Sequence, residues 1–329
     1  MKILSLGFML ASTLLAAPPG ENKIEIGRSN FAAVYRVTID RQTTVVKEKL
    51  FVDTEIDEQF ANEVSTLKLL QHSRKHPFIV TMLASDNNSI EFESMDTDLD
   101  QVLDHLHINR DLPLVTLPAD LKEGKDAYFH KALTDISRAL IFVHAHDVIH
   151  GDVKPGNILL QFKNGMLVAK LCDFGMSHKK GTRDKPFGTM AYVAPEAVLN
   201  PSEADTSSDI WSFGNVVGAC YAIFMQPTAL VQQSAQQNRE NFEEFKADFK
   251  KHPQKYYANF KNTPYYELIQ QLLVVKPKKR IDAHQLFNKL QEMTQKKSNA
   301  ESSELSFMQK FLLSLHIKKP SDDPEEYEN

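Results

Sequence analysis

The hydrophobic pattern of this chain changes period once, and that change bounds what it can fold into. From Lys23 to about Phe92, Ile24, Ile26, Val34, Val37, Val45 and Ile90 fall in short β-favouring runs. Within that stretch only Asp57 to Gln71 repeats its apolar residues, Phe60, Val64, Leu67 and Leu70, at helical spacing. From Asp98 onward the helical period dominates: Ala127 to His146 sets Phe129, Leu133, Ile136, Leu140 and Val143 on one face. Asn157 to Leu160 and Leu167 to Leu171 read as a hairpin, and further helical patterns cover Ser207 to Met225, Glu240 to Lys250, Tyr265 to Leu273 and Ala283 to Thr294. The expected architecture is α+β, a small β-rich lobe over residues 22–95 followed by a larger α-helical lobe over 96–295.

Two segments are expected to stay outside this frame. Gln232 to Asn241 is polar and Gln-rich and reads as a solvated loop. After Lys296 a Ser/Asn/Glu linker leads to an apolar helical run, Leu305 to Leu315, expected to dock on something, and then to an acidic tail, Ser321 to Asn329, expected not to fold.

With 42% hydrophobic and 25% charged residues in 329, the chain can bury one substantial core or two lobes sharing a cleft, which excludes a disordered or fibrous protein. A formal net charge of -5 supplies no electrostatic reason to expect nucleic acid as a partner. Cys172 and Cys220 are expected as free thiols in a buried strand and a buried helix, with no disulfide framework and no zinc site.

The strongest local signal is His150-Gly151-Asp152-Val153-Lys154-Pro155-Gly156-Asn157, followed about twenty residues later by Asp173-Phe174-Gly175. Together these resemble the catalytic and metal-binding loops of Ser/Thr protein kinases. The resemblance implies a two-lobed protein kinase fold that transfers the γ-phosphoryl of ATP to Ser/Thr hydroxyls of protein substrates. It implies that Asp152 accepts or orients the hydroxyl proton, Lys154 contacts the transferring phosphate, and Asn157 and Asp173 hold Mg²⁺. Such a set is chemically coherent, because phosphoryl transfer depends on alignment and charge neutralisation more than on covalent help.

Upstream, Ile26 to Val34 sits where the family carries a glycine-rich loop, but only Gly27 survives, with Ser29 and Ala32 in the other glycine positions. Val45-Val46-Lys47 resembles the strand whose lysine contacts the α- and β-phosphates, with Val45 facing the same way by strand alternation. Lys49 shares that face and is the rival. Glu63 occupies the family's position for the acid that pairs with this lysine. Ile90 to Leu99 resembles the hinge strand, with Phe92 as gatekeeper and Glu93 to Met95 holding adenine through the backbone. Asp98 is either a ribose ligand or the cap of the following helix. Ile26, Gly27, Ser29, Val34 and Leu159 complete the set expected around ATP.

Gly188 to Glu196 resembles the segment after the activation loop: Thr189 is expected beside Asp152 and Lys154, and Glu196 is expected to pair with Arg280. Asp209 is expected to bond the backbone of the catalytic loop. Leu67, Met82, His150 and Phe174 match an apolar spine, which makes His150 a packed core residue. The family's usual arginine before the catalytic aspartate is Gly151 here, so activity independent of activation-loop phosphorylation is expected. Lys179, Lys180, Arg183 and Lys185 form a basic stretch, read as a solvated loop with acidic-substrate steering as the alternative.

Because the glycine loop is eroded, a nucleotide- or protein-binding pseudokinase is the rival from another class, and a small-molecule kinase the third reading. Met1-Lys2 and the apolar run to Ala17 have the layout of a secretory signal peptide; Pro18-Pro19-Gly20 ends the run, which is short for a membrane span. The competing reading is an element packed on the first lobe or an over-extended start. The expectation is a secreted or secretory-pathway protein acting where ATP is available, inside another cell, with a cytoplasmic location as the alternative.

Overall fold

The computed structural model describes residues 22–315 apart from 30, 73, 109–116, 164–165, 184, 186 and 223–234. The signal-peptide reading at 1–17 and the acidic tail at 321–329 lie outside the described residues.

Residues of the first lobe form a five-stranded antiparallel sheet in the order β1-β2-β3-β5-β4, from β1 (Asn22–Arg28), β2 (Ala32–Ile39), β3 (Gln42–Lys49), β4 (Met82–Ser85) and β5 (Ser89–Glu93). Register puts Lys47 opposite Val34 and Ile90, and Val45 opposite Arg36 and Phe92. Since side chains alternate along a strand, Val45 and Lys47 share one face. A register shift between Glu25 and Gly27 bends β1 there.

Helix α1 (Thr54–Gln71) covers the sheet, three residues longer at its start than the apolar spacing predicts. Asp53 accounts for that start: its carboxylate accepts the amide N–H groups of Glu55 and Ile56 and satisfies two of the donors a helix leaves unpaired. Its inner face buries Ile56, Phe60, Leu67 and Leu70 together with Glu63.

The second lobe opens with β6 (Thr97–Asp98), which pairs with the hairpin β7 (Ile158–Lys163) and β8 (Met166–Leu171). Helices α2 (Leu99–Ile108), α3 (Leu121–Ala145), α4 (Pro195–Leu199), α5 (Thr206–Cys220), α6 (Ala235–Lys251), α7 (Pro253–Tyr257), α8 (Tyr266–Leu272) and α9 (Ala283–Leu315) complete it. The two-lobed α+β frame of the sequence reading is thus the observed one. Among the described residues no helix is long and apolar enough to cross a membrane.

Two local expectations are corrected. The segment read as a solvated loop is helical from Ala235, and the linker after Lys296 is part of one helix running to Leu315. Neither stretch contains Pro or Gly, so nothing in the backbone chemistry interrupts a turn once one has formed. Cys172 lies one residue beyond β8 and is half-buried, not a buried strand residue; Cys220 closes α5 and is buried.

Trp211, fully buried in α5, anchors the base of this lobe, with the Arg280 guanidinium 5.0 Å from its ring. Arg280 also donates to both carboxylate oxygens of Glu196 and to the carbonyls of Val274 and Ser207. Their side chains are 0% and 9% exposed, so removing one partner strands a buried charge. Glu196→Ala is expected to lower the unfolding free energy in urea by about 3–5 kcal/mol. Lys23→Ala, which breaks the exposed Lys23–Glu48 pair, is expected to cost less than about 1 kcal/mol. Equal losses in the two variants contradict the burial argument.

Candidate active site

Between the lobes lies a cleft of about 590 Å³. Its walls gather Ile26, Gly27, Ser29, Val34, Val45, Lys47, Glu63, Glu93, Met95, Asp98, Asp152, Lys154, Asn157, Leu159 and Asp173. The structure therefore brings the residues expected around ATP, metal and hydroxyl to one place, contributed by β1, β2, β3, α1, the segment from the end of β5 through β6, β7 and the loops flanking the β7–β8 hairpin.

Lys47 sits at its centre. Its Nζ donates to Glu63 Oε2 at 2.7 Å and to Asp173 Oδ1 at 3.0 Å. Burial disfavours its charge, but the two carboxylates, Asp173 and then Glu63, hold its pKa well above the ordinary lysine value. Burial likewise opposes ionisation of Asp173, and Lys47 overrides it, bringing that carboxyl down to about 2. For Glu63, 1% exposed, burial outweighs the pull of Lys47 and pushes the carboxyl up, so Asp173 carries its charge the more firmly. Lys49, the rival lysine, turns instead to Asp57 near the start of α1.

Below Lys47 the catalytic-loop residues form a closed set. Asp152 Oδ1 accepts from the Thr189 amide at 2.8 Å and the Thr189 hydroxyl at 2.7 Å, while Oδ2 lies 2.7 Å from Lys154 Nζ. Lys154 also donates to Thr189 Oγ1 at 2.9 Å. Asn157 uses its amide nitrogen on the Asp152 carbonyl at 2.8 Å and on Oδ2 at 3.2 Å, so its amide oxygen is the atom left for a cation. One carboxylate (Asp173) and one amide oxygen are hard donors that suit Mg²⁺, which keeps its remaining positions for water and phosphate oxygens.

The loop is positioned from beneath by Asp209. Its Oδ2 accepts the amide N–H of His150 and its Oδ1 that of Gly151, both at 2.9 Å, with His144 Nε2 2.8 Å from Oδ2. Burial disfavours the Asp209 anion, but His144 and the loop amides keep its pKa lowered. His150 accepts the Asp152 amide at Nδ1 and bonds the Cys172 carbonyl through Nε2, the pattern of a neutral imidazole with both nitrogens used. It packs edge-on against Phe174 and is fully buried, a core residue rather than an acid or base.

Gly151 has φ +81°, and a Cβ there would lie 2.8 Å from the Met176 carbonyl oxygen. The absence of an arginine at this position is therefore also a packing requirement: the backbones of residues 151 and 176 approach too closely for a side chain. Asp173 itself adopts a left-handed conformation, φ 61°, which aspartate tolerates better than most non-glycine residues.

At the other end, the Asp98 carboxylate accepts the Gln101 amide at 2.9 Å and so caps α2, while still lining the cleft. Burial raises its pKa. Glu93 commits its carboxylate to Lys170 at 2.6 Å and the Thr81 amide at 2.7 Å, leaving only its backbone for a ligand. In the basic stretch, Lys180 pairs with Asp205, and Arg183 folds inward over the Phe187 ring, so the stretch is not uniformly solvated.

Three residues of the site escaped the sequence reading. Arg36 donates to the carbonyls of Met95 and Asp96 at 3.3 and 3.2 Å, tying β2 to the hinge. Asn62, next to Glu63, donates to the carbonyls of Phe174, Gly175 and Ser177. Ser177 in turn bonds Thr66. The only sequence signal for Arg36 was a cation on the inward face of β2.

The protein kinase domain profile matches residues 21–290. The U-box domain-containing protein 70 of Oryza sativa subsp. japonica is 31% identical over 211 residues, 60% of this chain and 24% of its own length. The CBL-interacting protein kinase 21 of the same organism is 30% identical over 59% of this chain and 34% of its own. The cyclin-dependent kinase D-1 of Arabidopsis thaliana is 29% identical over 57% and 45%. This chain thus spans less than half the length of these curated relatives. A domain match of that extent, on a two-lobed frame with its charged residues gathered in the cleft between, makes the chain a member of the protein kinase family.

Proposed function

We propose that the chain is an active Ser/Thr protein kinase that uses Mg·ATP. The observation that carries this reading is the assembled Lys47–Glu63–Asp173 centre, 2.7 and 3.0 Å, facing Asp152 across the same cleft. In this reading Lys47 would neutralise the α- and β-phosphates, Val34, Val45 and Leu159 would enclose the adenine, and the backbone of Glu93 to Met95 would bond it. Asn157 and Asp173 hold Mg²⁺, which when bound supplies charge neutralisation across the phosphates. Asp152 exchanges its Thr189 hydrogen bonds for the incoming hydroxyl and takes its proton, while Lys154, already within reach of Asp152 and Thr189, balances the charge on the transferring group.

One observation favours the rival scaffold reading. The Ser29 hydroxyl accepts the amide N–H groups of Phe31 at 3.2 Å and Ala32 at 3.0 Å, consuming donors that a glycine-rich loop presents to phosphates. The two readings separate on turnover. Residues 18–329 are expected to move labelled γ-phosphate from Mg·ATP onto Ser or Thr of a generic protein substrate. Asp152→Asn is expected to lower kcat by about 100-fold or more, and Asp173→Ala to abolish transfer. Nucleotide binding without transfer from any protein substrate overturns the proposal in favour of the scaffold. Lys47→Ala is expected to lose transfer, whereas Lys49→Ala retains it.

Gly151 supports activity without a phosphorylated activation segment, since no cation stands there to receive the phosphate. Phosphatase treatment is expected to leave the rate unchanged. Gly151→Arg is expected to destabilise the fold by about 1–3 kcal/mol through its left-handed backbone and the approach to Met176, read as a lower midpoint in urea. A stable, phosphate-responsive arginine variant refutes this account.

A further inference from the structure

We propose that Asn62 is a positioning residue that latches α1 to the metal loop and so keeps the site assembled without a phosphate on the activation segment; this rests on the kinase reading above. Asn62 and Glu63 are consecutive on α1 and both reach the metal loop, the Glu63 carboxylate accepting the Phe174 amide as well as binding Lys47, and Asn62 donating to carbonyls. The Glu63 carboxylate reaches Lys47, whereas Asn62 Nδ2 lies 3.2, 2.9 and 2.7 Å from the carbonyl oxygens of Phe174, Gly175 and Ser177. A fourth acceptor, Ser177 Oγ, stands at 3.4 Å. Two N–H bonds are thus shared among backbone acceptors that all lie in the four residues after Asp173.

A second bond runs parallel to the first. Ser177, 3% exposed, donates to the Phe174 carbonyl at 2.6 Å, and its hydroxyl lies 2.9 Å from that of Thr66, one turn along α1 from Asn62. On its other side the same segment is stitched to the catalytic loop by paired amide bonds between Ile149 and His178, 2.8 and 3.0 Å. The metal loop is therefore held between α1 and the catalytic loop, with Asp173 in a left-handed conformation. Gly175 lies close enough to α1 that a Cβ would come within 3.7 Å of Gln59. Swinging α1 outward breaks the Asn62 and Thr66 bonds together with Lys47–Glu63, so the three act as one element. At Gly151 the usual electrostatic clasp is missing, and Asn62 supplies a neutral one.

The test measures ADP binding by calorimetry with Mg²⁺ and with EDTA, for wild type, Asn62→Asp and Thr66→Val, alongside kcat. Asn62→Asp keeps the shape but turns a donor into an acceptor facing carbonyls. It is expected to weaken Mg·ADP binding by about tenfold, the scale of losing one or two hydrogen bonds, while leaving ADP affinity in EDTA unchanged. Thr66→Val, which retains the helix and its volume, is expected to act in the same direction, and the double variant to lose less than the sum of the two. Equal weakening with and without Mg²⁺, or strict additivity, assigns Asn62 a merely structural role and overturns the latch. The binding readout needs no turnover: if the wild type transfers no phosphate but Asn62→Asp selectively loses Mg²⁺ coupling, the catalytic reading fails and the latch stands.

Discussion

One ammonium group holds the working arrangement of this protein together. Lys47 lies on the central strand of the first lobe's sheet, and neither of its acidic partners lies on that sheet: Glu63 comes from α1 and Asp173 from the second lobe. A buried cation with one partner is poorly compensated, and with none it does not stay charged. The geometry is accordingly close to all-or-none: sheet, helix and metal loop are either mutually placed or the charges are exposed to water. Ion pairs of this kind specify an arrangement more than they stabilise a fold. Their contribution is the number of alternatives they exclude.

Around this centre the polar groups that do the positioning act mostly on backbone. Asp209 takes two amide N–H groups of the catalytic loop, Asn62 takes carbonyls of the metal loop, and Arg36 takes carbonyls of the hinge. Backbone groups cannot rotate away as side chains do, so each such bond fixes a peptide plane and with it the aim of neighbouring side chains. That is how Asp152 and Asp173, on loops, are aimed into the cleft. The left-handed φ of Asp173 and the glycine at 151 mark where the chain is bent hardest to achieve it.

Legibility from sequence followed the range of the interaction. The strand and helix periods, and hence the lobes, come from contacts every two or every three to four residues, and these are written locally. Lys47 and Lys49 could not be separated that way because alternation puts both on one face. Their partners decide it: Asp57 and Glu63 lie six residues apart on α1, and the crossing of α1 over β3 matches Lys49 to the first and Lys47 to the second. Asn62 had no signal at all, since its acceptors are main-chain oxygens more than a hundred residues away and every residue type carries those. The extension of α9 was missed for the opposite reason: polar residues mask the helical period although nothing in Thr294 to Leu305 stops the turn.

The eroded glycine loop shows how such a centre shifts the burden of holding phosphate. Between β1 and β2, Ser29 bonds Ala32 through both its hydroxyl and its amide. Donors consumed inside the turn are not available to phosphate oxygens, so in the proposed reading the grip on a nucleotide comes from point charges instead. The cleft supplies them at fixed positions: Lys47 from the roof, Lys154 from the floor, and Asp173, whose carboxyl Lys47 holds below the usual carboxylate range. A stiff turn over a charged floor favours ligands whose affinity is dominated by their metal-bound phosphates. In that reading the position of Asp173 depends on the bonds that fix its loop.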